Sequence, residues 1–467
     1  MRKTKIVTTI GPATESPETL RALIDAGANV FRLNMSHAKH DWCAKVVERI
    51  RAASEEADQN VSVLVDLQGP SIRTGPVDRP YDLKVGDAVE FTMGGAAPKI
   101  RYSTSVNYSG LNHDVKIGDQ MQVDNGVLHM RVTATDDERV TCEALTEGEL
   151  TSRRHINLPG IRVNLPALTE KDHADIEMAV EVRADFVGMS FVRDAAHIQM
   201  LRKRLEERNS VARIVAKIED QQAVANLDGI IEAADAVMVA RGDLGIEVRL
   251  EELPIVQRRI IKKCVHLGRK VIVATHMLES MIENPVPTRA EVTDVANAAY
   301  EEADAVMLSG ETSIGRYPVK CVEVLDRICR RVERSGGVNY AEHSPLKTEK
   351  HKIVKSAVTL ADSIPEAKIV VFTKHGVMAH YTAHLRPRDA PIFAFSPALD
   401  VCRSLILSRA VFPLQLDFET ESPESAIDAA VRILRGKNLI HDGDPLILLS
   451  DVLHGEFKFD SIILKRV

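Results

Sequence analysis

The sequence predicts an α/β protein: a (β/α)8 TIM barrel with an inserted all-β lid domain, followed by an open α/β domain. Three observations carry this. Short β-branched runs alternate eight times with amphipathic helical stretches. Over about 70–166 that alternation stops, and turn signals separate short strands instead. Beyond a polar stretch at 335–350, a smaller strand–helix pattern begins.

The first run, 4–10 (TKIVTTI), leads into a helix over Pro17–Ala26, with Ser16 at its N-cap and Gly27 as its stop. The next run, 29–35, precedes a helix across 41–57, and a third occupies 61–67. The pattern breaks at Gly69-Pro70 and resumes at a helix opened by Thr169-Glu-Lys-Asp172. Strands at 185–192, 213–219, 235–241, 270–275 and 304–309 follow, each with its helix. Apolar runs of this kind are buried on both faces, and intervening helices imply parallel crossovers. Eight units close most economically into a barrel; an open doubly wound sheet is the alternative. The insertion carries strands at 88–92, 120–123, 127–133 and 139–145, with hinges at Gly69-Pro70 and Leu158-Pro159-Gly160. The last domain carries strands at 368–373, 391–396, 411–416, 445–450 and 461–467. The expected division is 1–69 with 167–337 for the barrel, 70–166 for the lid and 338–467 for the C-terminal domain.

Composition narrows the class. The chain has 467 residues, 45% hydrophobic and 27% charged, with a net charge of −7. That length allows roughly three domains, and so mild a charge suggests no nucleic-acid or membrane surface. Six cysteines show no CxxC spacing, which suits a reducing compartment. The opening MRKTKIVTTI reads as a strand and not as a signal peptide, and no apolar run approaches the ~18 residues of a membrane helix. A cytoplasmic protein is expected.

A barrel places its chemistry at the C-terminal ends of its strands, and unusual residues fall there. Strand two ends in Arg32-Leu-Asn34-Met-Ser36-His37, where a two-residue period puts Arg32, Asn34 and Ser36 on one face. Strand three ends in Asp66, strand four in Ser190-Phe191 and strand five in Lys217-Ile-Glu219. Strand six runs into Arg241-Gly242-Asp243-Leu-Gly245, strand seven ends in Thr275-His276 and strand eight in Ser309-Gly310-Glu311. Glu219 and Asp243 come from adjacent strands, so their carboxylates can converge; like charges that close require a cation or a raised pKa. Oxygen donors alone favour Mg2+ or Mn2+. Lys217 beside them suits charge on a transferring group. A Lys–Glu pair that merely closes the barrel mouth is the bland alternative. The set suggests an anionic substrate chelated to a divalent ion, for phosphoryl transfer or enolate chemistry. No Ser-His-Asp motif and no GxxxxGK[ST] loop is present.

At these residues the chain resembles the pyruvate kinase family. The matching segments include TKIVTTIGPAT, GANVFRLNMSH, IVAKIE, VMVARGDLGIE and AVMLSGET, in family order over the first 335 residues or so. The resemblance implies a homotetramer that transfers the phosphoryl group of phosphoenolpyruvate to ADP. It implies Lys217 as the electrophile and Arg32 as a phosphoryl contact. Glu219 and Asp243 become the divalent-metal ligands, and the Gly242 and Asp243 amides with Thr275 hold the substrate carboxylate, Thr275 also helping to protonate the enol carbon. Arg32, His37 and Arg154 contact nucleotide phosphates, and Asn34, Ser36, Asp66 and the Leu67 carbonyl form a K+ pocket.

Some positions depart from the family pattern. Leu67-Gln68-Gly-Pro-Ser71 resembles K+-independent members, but Ser71 lacks the lysine that stands in for the ion. Dependence on K+ is therefore open, and charge balance favours a requirement. Arg154 replaces the usual Lys, His276 a Gln and Ala38 a Gly, and Asp220 stands where Asn or Arg is common. The Thr373-Lys-His-Gly376-Val-Met378 loop lacks the second and third hydroxyls of the family's effector phosphate loop, and Gly455–Phe459 lacks a Thr-Thr-Asn. A weak or absent response to fructose 1,6-bisphosphate is expected. The competing readings are a metal-dependent lyase or aldolase on a pyruvate-enolate barrel, and a non-catalytic metabolite sensor.

Overall fold

The computed structural model describes residues 1–467 apart from 125, 419–421, 451–452, 455–456 and 459, with only the backbone of 453–454 and 457–458. Gly455–Phe459 therefore falls largely outside the described residues. Eight parallel strands close into a barrel: Lys5–Thr9, Val30–Asn34, Ser62–Asp66, Phe186–Met189, Arg213–Ile218, Ala236–Ala240, Lys270–Ala274 and Ala305–Leu308. The first pairs with the last, Lys5 opposite Ala305, so the open-sheet alternative fails.

Local chemistry sets the helices between them. Ser16 accepts from the Thr19 amide and Pro17 opens the first helix, which ends where Gly27 turns left-handed at φ 108°. Thr169 and Asp172 form a reciprocal capping box on Glu170–Glu181. Val7, Val30, Leu64, Phe186, Val215 and Ile272 form one buried cluster, which Ile406 and Leu407 of the C-terminal domain join. A larger cluster joins the strands to the surrounding helices.

The insertion holds a six-stranded sheet in the order Ile156–Asn157, Gln120–Val123, Leu128–Asp136, Arg139–Ala144, Ala88–Thr92, Tyr102–Ser105. Tyr81–Leu83 pairs with Gly148–Leu150 in a separate ribbon. Four of these strands (81–83, 102–105, 148–150 and 156–157) are additions to the sequence reading. They are two to four residues long, too short to show an alternating pattern.

The C-terminal domain is a five-stranded sheet in the order Val411–Gln415, Ile392–Ser396, Lys368–Phe372, Pro445–Ser450, Ser461–Arg466, the last strand antiparallel. It docks on the N-terminal end of the barrel through Asp304, whose oxygens accept both Arg386 guanidinium nitrogens at 2.7 and 2.6 Å. All six cysteines are free and buried, and among the described residues no helix is long and apolar enough to cross a membrane.

Candidate active site

Lys217 lies near the end of Arg213–Ile218, one strand from Ser190 and two from Asp66. Its ammonium sits 2.6 Å from Ser190 Oγ, 3.0 Å from Glu219 Oε1 and 3.4 Å from Asp66 Oδ1. Ser190 Oγ in turn donates to the Leu67 carbonyl at 2.7 Å. Arg32 Nε donates to Asp66 Oδ2 at 2.6 Å and its Nη1 to Thr9 Oγ1 at 3.0 Å. Gly188 makes room for this set, since a Cβ there would lie 2.8 Å from Asp66 Oδ1.

The charges are unevenly matched. Burial raises the Asp66 carboxyl, but Lys217 and Arg32 outweigh it and the net shift is downward. Burial alone would lower the Lys217 ammonium; Asp66 and Glu219 reverse that. Glu219 is 1% exposed. Burial pushes it up to about 7, with Lys217 opposing and Asp243 adding. Lys217 is thus shared between two acids, and Glu219 stays short of positive charge. Asp66 Oδ1, buried, has no hydrogen-bond donor.

Asp243 stands in the first turn of the helix Arg241–Glu247, its side chain 35% exposed, with Oδ1 3.6 Å from Nδ1 of His155 on the lid. Among the described residues no group of three or more His, Cys, Asp or Glu side chains is arranged to hold a metal. Two carboxylates alone suit Mg2+, which takes its other oxygens from water and substrate. The donor set therefore fits a divalent ion. A cavity of about 440 Å3 between lid and barrel is lined in part by His155, Asn157, Phe191, Glu219 and Glu247, a size suited to a small metabolite.

Thr275 has φ 67°, a strained conformation for a β-branched residue. Buried Arg241 holds the turn: Nε donates to the Ala274 carbonyl at 3.1 Å, Nη2 to the Thr275 carbonyl and Nη1 to Asp294 at 2.7 Å. Glu311 fixes the loop beyond by accepting from the Leu278 and Ser309 amides at 3.0 and 2.7 Å. A Cβ on Gly242 would meet the Thr275 side chain at 3.6 Å, so the two share a wall.

The structure thus brings Arg32, Asp66, Leu67, Lys217 and Glu219 together and sets Gly242 beside Thr275, with Asp243 next along the same helix. The strand reading is corrected beyond Asn34, where the strand stops: Ser36 does not continue the face of Arg32 and Asn34 but lies in a turn, its amide donating to Asn34 Oδ1 at 3.2 Å. His37 is exposed and its side chain has no hydrogen bond or ion pair with the described residues. Arg154 is engaged on the lid, with Asp124 at 3.2 Å and with Thr151. Asp220 is the N-cap of Gln221–Ala225. The sequence reading missed Gly188 and His155 as parts of the site, and it gave no role to Arg241, to Ser190 or to Phe191, whose amide donates to Glu219 Oε2 at 2.6 Å. The only signal for these three was their place at a strand end.

The family model "Pyruvate kinase, barrel domain" matches residues 1–322, and "Pyruvate kinase, alpha/beta domain" matches 351–462. The chain belongs to the pyruvate kinase family. It is 40% identical over 476 residues to a pyruvate kinase of Geobacillus stearothermophilus, covering 97% of this chain and 78% of that one. It is 38% identical over 455 residues to pyruvate kinase isozyme G, chloroplastic, of Nicotiana tabacum, covering 96% and 80%. A crystal structure of a pyruvate kinase from Cryptosporidium parvum superposes with a TM-score of 0.93 at 34% identity, covering 100% of this chain and 96% of that one. Membership makes the chain a pyruvate kinase-type phosphotransferase of glycolysis, moving the phosphoryl group of phosphoenolpyruvate to ADP to give ATP and pyruvate.

Proposed function

We propose that the mouth of the barrel carries this reaction with the following division of labour. Lys217 and Arg32 bind the phosphoryl group, and Lys217 also stabilises the enolate left when the bond from phosphorus to the enol oxygen breaks. An ADP oxygen forms the new bond to phosphorus. The Gly242 and Asp243 amides and Thr275 hold the substrate carboxylate, and Thr275 helps a proton reach the enol carbon. Glu219 and Asp243 are the side chains that would hold Mg2+ or Mn2+, which supplies positive charge at the transferring group. Asn34, Ser36, Asp66 and the Leu67 carbonyl would hold K+. His37 and Arg154 meet the nucleotide phosphates after the lid, 70–166, closes on the barrel of 1–69 and 167–337 about its two hinges and expels water.

The observation that carries this reading is the cluster of Arg32, Asp66, Lys217 and Glu219 with Asp243 close enough to raise Glu219, two cations against three carboxylates. Such an excess of negative charge at the mouth suits a site completed by a cation. Asp66 Oδ1, which accepts no hydrogen bond and has the Lys217 ammonium only at 3.4 Å, supports the K+ assignment in the same way. Six free cysteines suit the reducing cytoplasm, and the C-terminal domain, 338–467, suits subunit contact in a homotetramer. A coupled assay of ATP formation from phosphoenolpyruvate and ADP, with and without Mg2+ and K+, tests the whole. Turnover that ignores the divalent ion would remove Glu219 and Asp243 from their role. Turnover that ignores K+ would remove the monovalent pocket. Sedimentation velocity tests the tetramer.

A further inference from the structure

The lid brings to the mouth one side chain that the proposed chemistry leaves without a role. His155 is fixed within the lid by its backbone: its carbonyl accepts from the Asp124 amide at 3.0 Å, and it bridges to Arg73 just before the strand Ile156–Asn157 begins. Its imidazole turns toward the barrel, with 11% of the side chain exposed, and places Nδ1 3.6 Å from Asp243 Oδ1. The ring meets Phe191 edge-on, centroids 5.9 Å apart, and the Phe191 amide is the donor that holds Glu219 Oε2. His155 and Glu219 also line the same cavity between lid and barrel. The imidazole therefore stands beside both carboxylates assigned to the divalent ion.

The separation decides what it does there. At 3.6 Å the ring nitrogen and the carboxylate oxygen are too far apart to share a hydrogen bond. They are close enough to share an ion, because two bonds of about 2.1 Å span up to about 4.2 Å. The lone pairs are also free. Neither a ring nitrogen of His155 nor a side-chain oxygen of Asp243 hydrogen-bonds to any described residue. Histidine is the commonest metal ligand among side chains, and here one is held at a metal site without another partner.

We propose that His155 is a ligand carried by the lid, its imidazole joining Asp243 and Glu219 at the divalent ion. This rests on the assignment of that ion to the two carboxylates. The three side chains are not already arranged as one donor set, so His155 completes the set as the lid settles on the barrel. A nitrogen donor changes which ion the site prefers. Carboxylates and water alone suit Mg2+, whereas an imidazole adds affinity for Mn2+, more for Co2+, and little for Mg2+. It also ties the lid to the barrel through the ion, and so links closure to a charged site.

Electron spin-echo modulation of Mn2+ bound to the full-length protein tests this, first with Mn2+ alone and then with phosphoenolpyruvate added. The expected result is the signature of a directly bound nitrogen in at least one of the two states. It should change to the 15N pattern when the histidines are 15N-labelled, and it should vanish in His155→Ala. The labelled parent needs no substitution, so the test stands even where a variant fails to fold. Calorimetric titration with the metals alone then compares ions: His155→Ala should weaken Co2+ binding about tenfold or more and Mg2+ binding about twofold or less. The proposal is overturned if bound Mn2+ shows no nitrogen in either state, if the signal persists in His155→Ala, or if that variant weakens Co2+ and Mg2+ alike. Failure of the underlying assignment looks different. Mn2+ that binds as tightly to the Glu219→Gln, Asp243→Asn double variant as to the parent would overturn the carboxylate site, and His155 with it.

Discussion

The two ends of the barrel each bury a carboxylate among charged partners, and the carboxylates differ in whether their lone pairs are all taken. At the N-terminal end, each oxygen of Asp304 accepts twice: Arg386 Nη1 and the Arg409 amide on one, Arg386 Nη2 and the Val271 amide on the other. Burial raises that carboxyl, but Arg386 outweighs burial and the net shift is downward. At the C-terminal mouth, one oxygen of Asp66 accepts no hydrogen bond, with the Lys217 ammonium only at 3.4 Å, and Glu219 is pushed up to about 7. A cluster whose lone pairs are all taken has nothing left for a ligand, so it can only hold two parts together. A cluster left short of positive charge is unstable until something cationic arrives.

The sharpest way to break the comparison is to exchange the consequences of the two clusters. Lys217→Met should lower kcat by on the order of 10^3-fold, as for loss of a main charge-stabilising group. Phosphoenolpyruvate and Mg2+ should still bind, and steady-state kinetics with a thermal melt would show activity lost and fold kept. Arg386→Met should do the reverse. Leaving Asp304 buried without its partner should destabilise the fold by about 3–5 kcal/mol, while kcat per folded molecule, from urea-titrated active fractions, stays at the parent value. If Arg386→Met instead removed activity at full stability, the closed cluster would not be merely structural.

A subtler test uses pH. The Glu219 carboxyl is raised in the folded state, so its contribution to stability is fullest below pH 4.5 and is lost as pH climbs through about 7. Metal-free protein should therefore lose on the order of 2 kcal/mol over that window relative to Glu219→Gln, in which the group cannot ionise. Glu247, also pushed up by burial to about 7, contributes in the same window, which is why the comparison is made against the variant. Mg2+ needs the ionised carboxylate, so its stabilising effect should be larger at pH 8 than at pH 5 and nearly absent in Glu219→Gln. Melts in matched buffers with and without Mg2+ read all three.

The same contrast explains what could be read from the sequence. The eight barrel strands are legible because each is an apolar run between helical patterns, as in AVMVA at 236–240. Lys217-Ile-Glu219 is legible because two polar groups flank an apolar one at a strand end. Gly188 and Ser190 are not, since their roles depend on which strand lies next door: Gly188 admits Asp66, and Ser190 links Lys217 to Leu67. The strained turn at Thr275 carries no glycine to announce a positive φ, and what holds it is Arg241 from the strand before. Phe191 acts through its backbone, which any residue type could offer.

The smallest expected effect concerns the boundary between mouth and lid. Asp172 is fully buried, and its Oδ2 accepts from the Thr169 amide and hydroxyl at 2.8 and 2.7 Å while its Oδ1 accepts from the Gly69 amide at 3.0 Å. One carboxylate thus joins the chain just before it leaves for the lid to the chain just after it returns. Thr169→Ala removes the hydroxyl half of the capping box but leaves both amides on Asp172, so the helix should lose about 1 kcal/mol and the tie should persist. Denaturant melts should show that small loss with kcat unchanged. If kcat/KM for ADP fell as well, the cap would be setting the angle of the lid and not only the start of a helix, and the mouth would depend on a contact at its rim as strongly as on the charges inside it.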